Sequence, residues 1–168
     1  QQMDYDLVIQ AGIAGTFNTN IALGETVWVQ QDCFGDLGTE EKGRFAPLFE
    51  SGLADKNEFP FTDGWLTNSG KITNQVTLRG VRAVTVNTIT DSPLQQQQLI
   101  DQFQPDIESM EGAALHYVCL MEQIPFVQIR AVSNYITERN KKNWNLKESI
   151  TNLNQALWQA LTVIAAGK

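Results

Sequence analysis

The sequence predicts a layered α/β fold. Short β-favouring runs alternate with segments of helical periodicity, and 168 residues with 42% hydrophobic and 18% charged content suit one domain with a real core. No internal repeat interrupts that alternation.

In chain order, Leu7 to Ala11 is short, mostly apolar and closed by Gly12, which predicts a buried strand ending at a tight turn. Thr26 to Gln30 is rich in β-branched and aromatic residues and reads as a second strand. Gln31 to Lys71 shows little periodicity and many glycines, so it is read as a long irregular excursion; ordered excursions of that length tend to be functional. Val81 to Thr88 and Phe126 to Val132 supply two further strands, with helices over Leu94 to Phe103 and Met110 to Gln123. Met110, Ala113, Ala114, Tyr117, Val118 and Met121 recur at helical spacing as one apolar stripe, ended by Pro125. A last helix places Ile150, Leu153, Leu157, Leu161 and Ile164 on one face, with Asn145 and Glu148 in a capping arrangement.

Charge and composition exclude several functions. A formal net charge of -7 with scattered Lys and Arg would repel a phosphate backbone, so nucleic acid is not an expected partner. Cys33 and Cys119 are too few and too far apart for a disulfide scaffold or a zinc site. No stretch approaches the roughly 20 apolar residues that span a bilayer, and the start lacks the basic and apolar parts of a signal peptide. A soluble protein in the reducing cytoplasm, with no membrane partner, is the expectation.

Three segments carry candidate chemistry. Gln10-Ala11-Gly12-Ile13-Ala14-Gly15 follows a strand, and its small residues would let a ligand approach the backbone; an ordinary strand-to-loop turn explains the same letters. Ser109-Met110-Glu111-Gly112 opens a helix. Glu111 suits a first-turn acid favoured by the helix dipole, and equally a charged acceptor for a pair of ligand hydroxyls. Arg130-Ala131-Val132-Ser133-Asn134-Tyr135 ends a strand in polar residues, where Asn134 could face a ligand or simply form a turn. His116, the lone histidine, lies off the apolar stripe and is expected at an exposed or edge position. No Ser-His-Asp or Cys-His pattern stands out.

In this order and spacing the three segments resemble the purine nucleoside phosphorylase and nucleosidase superfamily, including the methylthioadenosine/adenosylhomocysteine nucleosidases. The segment SMEGAALHYVC resembles that superfamily's Met-Glu helix, and IPFVQIRAVSN its strand before the base site. CFGDLGTEE, FPFTDGWLTN and SNYITERNKKNWN resemble segments of one branch, the futalosine hydrolases. The resemblance implies a three-layer α/β/α sandwich with a central mixed sheet, phosphorylase/hydrolase-like in architecture. It implies that Ile13, Ala14 and Gly15 contact the base and that Met110 and Glu111 take the ribose. Ser133 and Asn134 fall at the purine, and Thr90 and Asp91 at the place of the base-stacking wall.

The nucleosidases carry an aspartate where this chain has Asn134. An amide cannot supply a proton, but its NH2 can donate to O6 of a 6-oxopurine while its carbonyl accepts from a protonated N7. A hypoxanthine leaving group follows from that difference, and the resemblance to the futalosine hydrolases implies hydrolysis of futalosine in menaquinone biosynthesis. The partner implied is a small nucleoside, with no cofactor or metal, in a homo-oligomer. Two other readings stand beside it: a phosphorolytic enzyme, for which Arg79, Arg82 and Arg130 are the candidate phosphate ligands, and a nucleoside-binding chain without catalysis. Superfamily members place a strand and a helix, with the acid that activates water, before the equivalent of Leu7. Ser109 stands where the nucleosidases carry another glutamate.

Overall fold

The computed structural model describes residues 5–70, 76–136 and 141–166. In chain order the elements are β1 (Val8–Thr16), β2 (Thr26–Phe34), β3 (Gly38–Glu41), β4 (Arg44–Pro47), β5 (Leu66–Thr67) and β6 (Arg79–Thr85). They continue with α1 (Pro93–Phe103), β7 (Ile107–Ser109), α2 (Gly112–Met121), β8 (Phe126–Tyr135) and α3 (Leu146–Ala166).

The main sheet runs β5-β2-β6-β7-β1-β8, and β8 also pairs with β2. It is mixed: β1 with β8, β2 with β6, and β6 with β7 are parallel, while β1 with β7, β2 with β8 and β2 with β5 are antiparallel. The β2–β8 pairing closes β2, β6, β7, β1 and β8 into a ring. One core cluster draws on every strand of it: Ala14, Val27, Val29, Val81, Ala83, Ile107 and Val132. Alternate residues of a strand point to opposite sides, and two helices pack against successive residues of β8. Val127, Ile129 and Ala131 pack with Leu153 of α3, while Phe126 meets His116 of α2 ring to ring. The expected three-layer mixed-sheet architecture is therefore present, with sheet closure added. No helix among the described residues is long and apolar enough to cross a membrane.

Several elements differ from the sequence reading. β1 does not turn at Gly12 but runs on to Thr16, paired with β8 throughout apart from an irregularity at Ala14 and Gly15. The glycines serve close packing: a Cβ on Gly12 would lie 2.3 Å from Arg130 Nη1, and one on Gly15 would lie 2.8 Å from Ile136 Cγ1. The excursion over 31–71 is partly regular, since it begins inside β2 and contains the β3–β4 hairpin and β5; Lys71 itself lies outside the described residues. Met110 and Glu111 precede α2, and Ile107–Ser109 just before them form a strand too short to show periodicity.

The buried face of α2 is Gly112, Ala113, His116 and Cys119, so Tyr117, Val118 and Met121 of the expected stripe are exposed and His116, expected at the surface, is fully buried. The cause is the surface it meets, which offers polar partners to a polar ring. On α3 the buried positions are Ser149, Leu153 and Ala156, whereas Ile150 and Leu161 are exposed; Ser149 Oγ donates to Val132 O at 2.8 Å and turns that face inward. Asn145 and Glu148 do meet, side chain to side chain.

The two faces of α3 should respond differently to truncation. Leu153→Ala is expected to cost about 2–4 kcal/mol by leaving a core cavity, and Ile150→Ala under about 1 kcal/mol. Urea unfolding measures both, and equal costs would contradict the assignment of the buried face.

Candidate active site

A cavity of about 520 Å³ opens beside the end of β1, lined by Gln10 through Gly15, Glu108 through Glu111, Arg130, Ser133 and Asn134, with Ile89 and Trp144. Ile13, Ala14, Gly15, Met110, Glu111, Ser133 and Asn134 were all expected from the sequence and converge here. Thr90 and Asp91 do not line it: Thr90 is buried behind Glu108, and Asp91 is exposed. Ser109 belongs to a segment the sequence singles out, but Glu108, Ile89 and Trp144 are not among the residues it assigns to the site, because no local pattern marks a residue whose neighbours come from other strands.

At one end lies a buried cation with an exposed anion. Arg130 Nη2 donates to Glu111 Oε2 at 3.1 Å and to Gln10 Oε1 at 2.7 Å. The Arg130 side chain is 4% exposed and that of Glu111 62%, so the carboxylate faces the cavity while its counterion is shielded. Glu111 occupies the N-cap of α2 yet makes no side-chain capping bond. Glu111 thus stands at the helix start, where the dipole favours its charge, with its carboxylate left free of capping.

Behind Arg130 runs a buried polar chain. With the Gln128 amide oriented to satisfy its neighbours, its oxygen accepts from Arg130 Nε at 3.1 Å. Its nitrogen donates to His116 Nε2 at 2.9 Å and Asp32 Oδ2 at 3.3 Å. His116 Nδ1 lies 3.0 Å from Leu66 O; a carbonyl only accepts, so Nδ1 carries the proton and the ring is neutral. Burial pulls the His116 pKa down to about 4. Thr85 Oγ1 donates to Asp32 Oδ1 at 2.9 Å and accepts from Ala113 N at 2.8 Å, tying the chain to the start of α2. Burial raises Asp32 to about 7, against the Thr85 hydrogen bond and the Arg130 charge. Gly112 is required here, since a Cβ would lie 2.1 Å from Asp32 Oδ2.

At the other end, β8 carries Asn134 opposite Gly15, with the register shifting at Ala14 and Gly15 so that Ser133 is the extra residue. Such a bulge re-aims a side chain. Ser133 Oγ lies 2.8 Å from Asn134 Oδ1 and 3.2 Å from Ala14 O, which fixes the amide. Asn134 is thus a strand residue and not a turn. Beside it, Glu108 accepts from Thr90 N at 3.2 Å and from Thr90 Oγ1, and burial raises its pKa. Asp36 accepts from Asn87 N and Thr88 N and steadies the loop that presents Ile89.

The profile of the Phosphorylase superfamily matches residues 1–166. A curated futalosine hydrolase of Thermus thermophilus is 30% identical over 155 residues, covering 89% of this chain and 67% of its own length. Among solved structures, futalosine hydrolase of Helicobacter pylori superposes with a TM-score of 0.74 at 14% identity, covering 94% of this chain and 68% of that one. A methylthioadenosine/adenosylhomocysteine nucleosidase of Colwellia psychrerythraea, solved with adenine, gives 0.73 at 18% identity over 94% and 67%. This chain spans about two thirds of the length of each.

Asp32 and His116 oppose each other in pH dependence. His116 falls from 6.5 to about 4 on folding, so the unfolded chain takes its proton first and this contribution to stability is lost as pH drops from 6.5 to 4. Asp32 rises from 3.8 to about 7, so the folded chain takes its proton first and stability grows as pH drops from 7 to 3.8. His116→Gln removes the first effect alone. Its urea midpoint is expected to gain on the wild type between pH 7 and pH 5; a variant that loses ground over that range would rule out a neutral buried imidazole.

Proposed function

This chain belongs to the Phosphorylase superfamily, and on that premise we propose that it hydrolyses the N-glycosidic bond of futalosine to hypoxanthine and the dehypoxanthinyl sugar acid, a step of menaquinone biosynthesis. The relationship to the Thermus futalosine hydrolase carries the reading, and Asn134 in the cavity wall is the residue that fits it.

Glycosidic cleavage passes through an oxocarbenium-like state, so groups aimed at the developing charges act where they matter. Glu111, paired with Arg130, accepts from the ribose diol through the carboxylate it turns to the cavity. Met110 and Ala14 to Gly15 give the sugar and base apolar and backbone surface. Asn134, its carbonyl steadied by Ser133, donates to O6 and accepts from the protonated N7 of the departing base. Water is the nucleophile, and the superfamily resemblance assigns its activation to a segment before the equivalent of Leu7.

Phosphorolysis fits the cavity less well. Of the three arginine candidates only Arg130 lines it, and its Nη2 and Nε donors are engaged by Glu111, Gln10 and Gln128. Arg79 donates to Asn20 O, and Arg82 lies over the Trp65 ring. A 6-amino base, as in the adenine complex of the Colwellia enzyme, would set its own donor against the Asn134 NH2.

The full-length protein incubated with futalosine is expected to release hypoxanthine, followed by chromatography. No release from futalosine together with release from inosine plus phosphate would establish the phosphorylase instead. Glu111→Gln is expected to lower kcat/KM by about 10- to 100-fold, the size of a lost hydrogen bond to a charged group. Asn134→Asp should reduce the preference for 6-oxopurine over 6-aminopurine nucleosides by about tenfold or more; an unchanged ratio would remove Asn134 from base recognition.

A further inference from the structure

We propose that Glu108 is the specificity residue for the N1 edge of the base, accepting the N1–H of a 6-oxopurine across Gly15 from Asn134. The inference rests on the nucleoside reading of the cavity and adds to it a second point of base discrimination.

Three strands set the geometry. Gly15 of β1 pairs with Glu108 of β7 on one side and with Asn134 of β8 on the other. Directly paired residues present their side chains to one face of a sheet, and all three residues line the cavity. Neighbouring strands lie about 4.8 Å apart, so a carboxylate and an amide flank a floor roughly two strands wide whose middle position has no side chain. Adding a Cβ at Gly15 would bring it within 3.1 Å of Asn134 Nδ2. A flat bicyclic base over Gly15 would present one polar edge to each flank.

The carboxylate also lacks something that a ligand could supply. Glu108 is 7% exposed, and among the described residues no cation pairs with it; its named partners are the Thr90 amide and hydroxyl. A carboxylate has about four acceptor positions, so two donors leave capacity unused. Next to it Ser109 Oγ is buried, lines the same wall and has no hydrogen-bond partner. Buried polar atoms are normally satisfied, and this stretch of wall is not. A 6-oxopurine has a donor at N1 beside the O6 acceptor, whereas adenine has a lone pair there. An ionised carboxylate attracts the first and repels the second, the same sense of discrimination that Asn134 exerts at O6 and N7. The short strand β7 rigidly carries both this residue and, two residues later, the Met110-Glu111 pair.

Free-base titration by calorimetry tests this without requiring turnover. Wild-type chain is expected to bind hypoxanthine more tightly than adenine, and Glu108→Gln, whose amide can face either way, should lower that affinity ratio at least tenfold. Thr90→Val, which removes only the hydroxyl that braces Glu108, should keep the ratio within about threefold. If Glu108 only anchored the Thr90 loop, both variants would weaken both bases alike, and an unchanged ratio in Glu108→Gln overturns the proposal. Should that variant lose its thermal transition, wild-type chain titrated with 1-methylhypoxanthine answers the same question: binding within threefold of hypoxanthine overturns it, and a loss of tenfold or more supports it. Absence of futalosine hydrolysis with the ratio shift present would remove the proposed reaction and leave the base reading standing. Hydrolysis with no ratio shift would do the reverse.

Discussion

Everything around the cavity is arranged to keep one guanidinium out of water. Arg130 sits on a central strand with its side chain almost wholly buried, and a buried charge is tolerable only when paired and fully hydrogen-bonded. Glu111, Gln10 and Gln128 take its Nη2 and Nε donors, and Asp32 supplies a second negative charge nearby. From that requirement follow features that otherwise look unrelated. Gly12 must lack a Cβ because the guanidinium crosses it, and Gly112 must lack one because Asp32 and Gln128 press against the start of α2. His116 must be neutral and inward because Gln128 needs an acceptor on its far side.

This chain of dependence explains which parts of the fold could be read from the sequence. The strands at Val8, Thr26, Arg79 and Phe126 and the helix at Pro93 declare themselves by composition, since each buries apolar residues and hydrophobic patterning is a local property. The α2 face does not. Its inward residues are small or polar, chosen by Asp32, Gln128 and the Leu66 carbonyl, which come from three different strands. The apolar residues Tyr117, Val118 and Met121 then present a more convincing stripe on the wrong side. α3 was misread more mildly, because Ser149 and Ala156 face inward and carry little hydrophobic signal.

The site shows the same division. Glu111, Asn134 and the run to Gly15 were legible because they stand in contiguous segments with a recognisable order. Glu108 was not, although it lies three residues before Glu111. Its significance depends on lying beside Gly15 in the sheet and on Thr90 from another loop, and no spacing within one segment encodes either. Thr90 was drawn to the cavity by its place in the chain, and the structure gives it to Glu108 instead.

The two carboxylates of the wall are therefore in different electrostatic circumstances, and in the proposed reaction that difference separates their tasks. Glu111 is partly neutralised by Arg130, open to the cavity, and next to where the ribose would gain positive charge. Its remaining field favours an oxocarbenium-like sugar. Glu108 has no such cation, and burial makes its charge harder to sustain unless a donor approaches. A group of that kind is poorly suited to stabilising a sugar cation at a distance but well suited to rejecting a base that brings a lone pair. The bulge at Ser133 completes the separation, because it re-aims Asn134, which in the proposed reaction meets the leaving group. In the proposed reaction two carboxylates and the Asn134 amide thus divide sugar activation from base selection along a single short row of strands.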